Sequence, residues 1–214
     1  MIVQAPAFLY QVTANTEPPL PSAKSHPLPP TLAQWQDATN SGDYFAQITP
    51  TAVGYLVWSR FPLKVYIQKQ NTAQWATTVE QAVREWSAYL PLTVIEQPEV
   101  ADIRIMRSPP PLRITPNQSP RARSALTTYE LLTINHQLSH RCTILLSPSQ
   151  TGKYLAAAVR HEFGHALGIW GHSPFASDAL YFSQVQNPPP ISPRDVNTLK
   201  RIYEQPTQLG WSLP

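Results

Sequence analysis

The order of hydrophobic patterns along the chain predicts an α+β domain. Three stretches carry that reading: alternating apolar positions at 63–68, a helical apolar stripe from Trp75 to Leu90, and a His-Glu-x-x-His segment that runs into a glycine. With 214 residues, 42% hydrophobic and 10% aromatic, the chain can build one sizeable core plus an appendage.

Residues 1–50 hold 8 prolines and 4 charged side chains (Glu17, Lys24, Asp37, Asp43), with no sustained periodicity. Such composition favours extended, weakly ordered chain. The boundary is therefore set at 52, with a Pro-rich extension over 1–52 and the folded domain over 53–214. The extension reads either as a linker or tail, or as a pro-segment that covers a cleft until it is removed.

Leu63, Val65 and Ile67 alternate with Lys64, Tyr66 and Gln68, a half-buried strand. Asn71 or Thr72 then opens a helix whose apolar positions Trp75, Val79, Ala82, Val83, Trp86 and Leu90 form one stripe, and Pro91 stops it. Short strands are expected at 92–96 and 102–106. A Pro-rich loop at 108–120 leads to strands at 123–133 and 141–146, and a helix at 152–167 follows. After a stiff loop at 187–190, Ser192 is a good N-cap, Pro193 suits the first helical position, and Asp195 favours the positive helix end. Val196, Leu199, Ile202 and Tyr203 give that last helix one apolar face.

The chemistry concentrates at 161–172. His161 and His165 stack one turn apart, so both imidazoles can reach one zinc ion. Glu162 points about 100° away and suits the general-base role, taking a proton from a water held by the metal. Gly168 is a helix stop that lets the chain turn and deliver His172 as a third nitrogen ligand. Three protein ligands leave a fourth position open, the mark of a catalytic zinc. By composition the pentapeptide alone recurs in about one such chain in 160, so the added spacing of Gly168 and His172 carries the weight.

Gly164 before the second histidine, the run Ala166-Leu167-Gly168, and His172-Ser173 resemble the metzincin clan of zinc endopeptidases, in its matrixin version. The resemblance covers about residues 55–205. It implies a twisted, mostly parallel five-stranded sheet with two long helices, an active-site helix, and a C-terminal subdomain with one helix. It also implies a single catalytic Zn2+ on His161, His165 and His172, Glu162 as the catalytic residue, and hydrolysis of a peptide or protein substrate. In that family an edge strand pairs with extended substrate, which puts Arg123, Ser124, Ala125 and Leu126 along the substrate backbone. The loop before the last helix shapes a side-chain pocket, which assigns Tyr181, Phe182 and the prolines of 188–190 to its wall.

Two departures stand out. His172 lies four residues after Gly168 where the family has three, and Gly171 is expected to absorb the extra length through unusual backbone angles. The methionine turn under the metal aligns with Ser177-Asp178-Ala179-Leu180-Tyr181, so Leu180 stands in the methionine position as an apolar residue of similar volume. The family's structural zinc and calcium clusters have no counterpart, so neither ion is expected. Its pro-segment cysteine is also missing, which leaves Asp37 as the candidate carboxylate for latency.

Cys142 is the one cysteine, which excludes a disulfide framework and reads as a buried thiol. No apolar run approaches the ~20 residues of a membrane span, and a monomer is expected. The family habit implies an extracellular or periplasmic site, yet no basic residue precedes Lys24 and no signal peptide is visible. The net charge is +3. Arg104, Arg107, Arg113, Arg121 and Arg123 fall between Asp102 and Glu130 with no acid among them, as solvated loop charge or as a contact for an anionic substrate or surface. No nucleic-acid motif accompanies them. His136 and His140 fall between two strands, which does not favour a second metal site. Other readings remain open: a non-catalytic peptide-binding module, an enzyme with Glu204 as third ligand, and an interaction protein without metal.

Overall fold

The computed structural model describes residues 19–69, 73–112, 114 and 119–214. Its centre is a five-stranded sheet, with β1 Leu63–Ile67, β2 Leu92–Ile95, β3 Ile103–Arg107, β4 Ala125–Ile134 and β5 Gln137–Leu146. The spatial order is β2-β1-β3-β5-β4, parallel throughout except for β4, which runs antiparallel to β5 at the edge. Registers such as Val65 opposite Ile103, and Ile103 opposite Cys142, put Leu63, Val65, Ile103, Ile105, Cys142 and Ile144 in the core.

The helices α2 Ala73–Trp86 and α3 Gly152–Ala166 pack against each other and against the sheet. Five of the six residues of the stripe expected on the first helix, Trp75, Val79, Ala82, Val83 and Trp86, are buried within α2, and Leu90 is buried just beyond it. The expected start at Asn71 or Thr72 lies outside the described residues. Trp86 Nε1 donates to the Arg160 carbonyl at 3.1 Å, which locks the two helices together just before the histidine pair. No helix among the described residues is long and apolar enough to cross a membrane.

Strands β2 and β3 differ from their expected bounds by one residue, and two strands differ by more. The last strand starts at Gln137, four residues earlier than expected, because Asn135 and His136 both take positive φ (50° and 62°) and close a tight hairpin. The preceding strand starts at Ala125 rather than 123. His136 is thus an exposed turn residue, whereas His140 is buried in β5 with its ring 3.7 Å from that of Trp58. Cys142 is buried beside it with a free thiol, whose pKa burial pushes up.

Of the extension expected over 1–52, residues 1–18 lie outside the described residues. The rest packs against the domain. A short helix α1 Pro30–Gln34 buries Leu32, and Tyr44 and Ile48 join the same core. Thr31 bonds the Tyr89 carbonyl at 2.6 Å, and Trp35 Nε1 bonds Asn197 of α4 Pro193–Tyr203 at 2.8 Å. Asp37 accepts from Thr39, Ser41 and Asn197, which commits both of its oxygens. The apolar residues responsible are single and irregularly spaced, so periodicity gave no sign of them.

Candidate metal centre and cleft

Helix α3 carries His161 and His165 on one face, and the chain behind them fixes how they sit. Helical backbone ends at Leu167, and Gly168 then adopts φ 125°. A β-carbon on Gly168 would lie 2.3 Å from the Leu56 carbonyl oxygen, so both conformation and space require glycine. The turn returns the Ile169 carbonyl to within 2.6 Å of His165 Nδ1, and carries the chain to His172. The extra residue is accommodated differently from expectation. Gly171 has no positive φ; it is needed because a β-carbon there would lie 2.2 Å from the Gln47 carbonyl oxygen. Residues 47–49 therefore buttress this loop, and Thr49 N–H donates to the Trp170 carbonyl at 3.0 Å.

Ala179 and Leu180 lie on the other side of the pair. Leu180 is fully buried against Gly164, where an added β-carbon would meet its Cδ2 at 2.7 Å. The missing side chain at 164 lets this turn press onto α3, and the Ala179 carbonyl comes to 2.9 Å from His161 Nδ1. Asp195 holds the turn: its carboxylate accepts from the Ala179, Leu180 and Ser192 N–H groups and from the Tyr44 hydroxyl, the last at 2.6 Å. Burial raises the Asp195 pKa despite these bonds. Arg194 pairs with Asp178 at 2.7 Å, and Ser173 donates to the same carboxylate.

These contacts decide the imidazole tautomers. Carbonyl oxygens only accept, so the Nδ1 atoms facing Ala179 and Ile169 both carry protons. Burial and the neighbouring His161 and His172 lower the His165 pKa well below its ordinary value, although the Ile169 carbonyl acts the other way. In neutral rings of this tautomer both Nε2 atoms bear lone pairs, and they face each other at 3.1 Å. Such a pairing is unfavourable without a cation between the two. Zinc–nitrogen bonds of about 2.0–2.1 Å in a tetrahedron place neighbouring ligand nitrogens about 3.3 Å apart, close to what is seen. The His172 residue is exposed overall, its pKa lowered by partial desolvation and by His161, and one ligating atom from each of the three rings lies within 4.8 Å of the others. The donor set and spacing fit zinc.

A cleft of about 810 Å³ opens over this cluster. The Thr127 hydroxyl lies 2.6 Å from Glu162 Oε2 and 2.9 Å from the Glu162 carbonyl, so β4 touches the glutamate directly. Burial raises the Glu162 pKa, opposed by His161, Thr127 and Arg123. Arg123, Ser124, Ala125 and Leu126 line the cleft at the start of edge strand β4. Tyr181, Phe182, Pro188 and Pro189 line it too, with the two aromatic rings 4.4 Å apart. Glu204, the alternative third ligand, is exposed at the end of α4 and does not line the cleft. Asp37 does not line it either.

Thr127, Arg160, Ala179, Ile169 and Tyr44 were not anticipated as site residues. Two of them act through backbone carbonyls, which no side-chain pattern can reveal. Arg160 pairs with Glu85 at 2.6 Å and donates to the Pro189 carbonyl at 3.0 Å, holding the proline wall against α2.

No protein-family model and no curated protein matches the sequence. Solved structures with a similar arrangement include myroilysin, 13% identical with a TM-score of 0.43, over 79% of this chain and 97% of that one. An archaemetzincin from Methanopyrus kandleri is 13% identical at a TM-score of 0.38, over 65% of this chain and 93% of that one. High choriolytic enzyme 1, a hatching enzyme zinc-protease from the medaka fish Oryzias latipes, is 13% identical at 0.37, over 79% and 98%.

Proposed function

We propose that this chain is a zinc-dependent endopeptidase of the metzincin type, hydrolysing peptide bonds in the cleft above His161, His165 and His172. The observation that carries the reading is the facing pair of Nε2 atoms at 3.1 Å, with both Nδ1 protons committed to the Ala179 and Ile169 carbonyls. That arrangement prepares two lone pairs for one cation, and His172 supplies a third.

His161, His165 and His172 would hold a zinc ion that would supply Lewis acidity to water and to the scissile carbonyl. Glu162 takes a proton from water as its oxygen bonds to the carbonyl carbon, and passes that proton to the amine nitrogen as the C–N bond breaks. Thr127 fixes the direction of the carboxylate through its 2.6 Å bond, and burial keeps the Glu162 pKa raised, toward the range where a carboxylate accepts and returns a proton. Residues 123–126, which lead into edge strand β4, offer backbone groups to an extended peptide. Tyr181, Phe182 and the 188–189 prolines receive a side chain next to the cleaved bond.

Zinc content of the purified protein, measured beside His172→Ala with both assayed on a mixed peptide library, tests this. One zinc per chain with cleavage, both lost or much weakened in the variant, is the expected result. A wild type that takes up no zinc, or a variant that holds and uses it equally well, overturns the reading.

A further inference from the structure

The charged groups around the cleft divide into those with partners and those without. Arg160 is matched by Glu85, and Asp178 by Arg194, each as a close ion pair. Glu162 is held by Thr127. Arg121 and Arg123 also line the cleft, yet neither makes an ion pair or a side-chain hydrogen bond among the described residues. Arg123 is half-buried, and its Nε is shut off from solvent without a partner. No acid occurs between Asp102 and Glu130, and the acid that Arg123 acts on through space is Glu162, whose carboxylate already takes Thr127 as its hydrogen-bond partner.

A guanidinium has five donors in a planar fork that matches a carboxylate with two parallel bonds. Because the Arg123 Nε is closed to solvent, its two terminal nitrogens are the donors that a carboxylate in the cleft can reach. Arg123 also sits two residues before Ala125, at the point where β4 enters the cleft, so a strand laid along that edge brings its own side chains past the guanidinium.

We infer that Arg123, assisted by Arg121, is a specificity-determining site for an acidic side chain, aspartate or glutamate, carried by the peptide in the cleft. This rests on the peptidase reading for its substrate class, and it adds which peptides are chosen. The fork binds the substrate carboxylate beside the glutamate that acts on the bond, so selection and chemistry share one end of β4.

The test uses matched peptides that differ only by Asp against Asn at each position around the cleaved bond. Affinity is read by fluorescence anisotropy on the zinc-loaded, full-length Glu162→Gln protein, and kcat/KM on wild type. Aspartate is expected to exceed asparagine at least tenfold at one position in both readouts. In Arg123→Gln the ratio should fall to within about twofold of unity, and in Arg123→Lys, which keeps the charge but not the fork, to an intermediate value. Arg121→Gln should lower it less, and Arg60→Gln, which removes the same charge outside the cleft, should leave it unchanged. Equal affinity for Asp and Asn peptides at every position overturns the inference, as does a ratio that survives Arg123→Gln. Selective binding of acidic peptides without any cleavage by wild type would keep this inference and overturn the peptidase reading; cleavage without acid preference would do the reverse.

Discussion

The floor beneath the three histidines and the rim of the cleft above them are built on opposite principles. On the floor the carboxylates and the ligand rings are committed: Asp195 takes four donors, Asp178 takes Arg194 and Ser173, and two carbonyls take the Nδ1 protons. Its packing is tight enough that glycine is required at 168 and 171, where a β-carbon would meet a backbone oxygen. On the rim, Phe182 is 65% exposed, and Arg121 and Arg123 have no partner among the described residues. The contrast shows where the fold fixes geometry and where it leaves surface for another molecule to satisfy. A metal site needs ligands held in place before the metal arrives, and a substrate site needs groups still unpaired.

The sharpest division between holding metal and using it is at Glu162. Glu162→Gln should retain one zinc per chain while kcat falls about 10²- to 10⁴-fold, as loss of a general base does. A variant that still cleaves at the wild-type rate would break the division.

Gly171→Ala probes the floor next. The β-carbon would lie 2.2 Å from the backbone oxygen of Gln47, and backbone yields little, so a loss of about 3 kcal/mol in thermal or denaturant unfolding is expected, together with weaker zinc binding through His172. Unchanged stability would mean that residues 47–49 do not brace the loop. A milder version is Tyr44→Phe, which removes one buried donor to Asp195. Stability should drop about 1–3 kcal/mol and zinc affinity about tenfold, whereas an effect on neither would detach the N-terminal segment from the metal floor.

Acid separates the floor from the core beside it, where His140 packs on Trp58. Burial lowers the His140 pKa to about 3 from 6.5. Between those values the unfolded chain binds a proton that the folded chain refuses, so this group makes stability fall as pH drops through that window. From pH 6.5 to 5 the loss from His140 is about 1.6 kcal/mol, taking 1.36 kcal/mol per unit and half protonation of the unfolded ring at pH 6.5. In His140→Phe, which keeps a ring against Trp58, that part of the acid sensitivity should disappear; an identical pH dependence would show that His140 is not held neutral.

The smallest effect on stability belongs to the rim. Phe182→Ala should change unfolding by less than about 0.5 kcal/mol and appear instead as a raised KM for peptides, which is what separates a substrate wall from core. A large loss of stability would move Phe182 to the floor's side of the comparison.

Local pattern carried much of this protein. Period two in Leu63–Ile67, the apolar stripe of α2, and the Ser192-Pro193-Asp195 start of α4 are short-range signals, and each element formed where its signal lay. The spacing of His161, His165 and His172 is likewise local, because an α-helix and one glycine turn suffice to bring the three rings together. What local pattern could not supply was the partner of any group. Leu32, Tyr44 and Ile48 stand alone among prolines, and only the finished core gives them a place. Asp195 read as a helix-dipole residue, yet it also anchors the turn at 179–180, because a carboxylate has more accepting positions than its own helix start can fill. Gly171 read as a backbone hinge and proved to be a close approach, which depends on a carbonyl 124 residues earlier in the chain.

Sequence alone therefore determined that His161, Glu162, His165 and His172 fall within one short stretch, and it set the run of strands and helices, because both are encoded by signals that are local along the chain. Tertiary structure alone decided the tautomers of His161 and His165, the Thr127 contact that aims Glu162, and the fact that Arg123 reaches the cleft without a hydrogen-bond partner among the described residues. Those properties are set by groups far apart along the chain, and pairing at a distance comes into being only when the core closes.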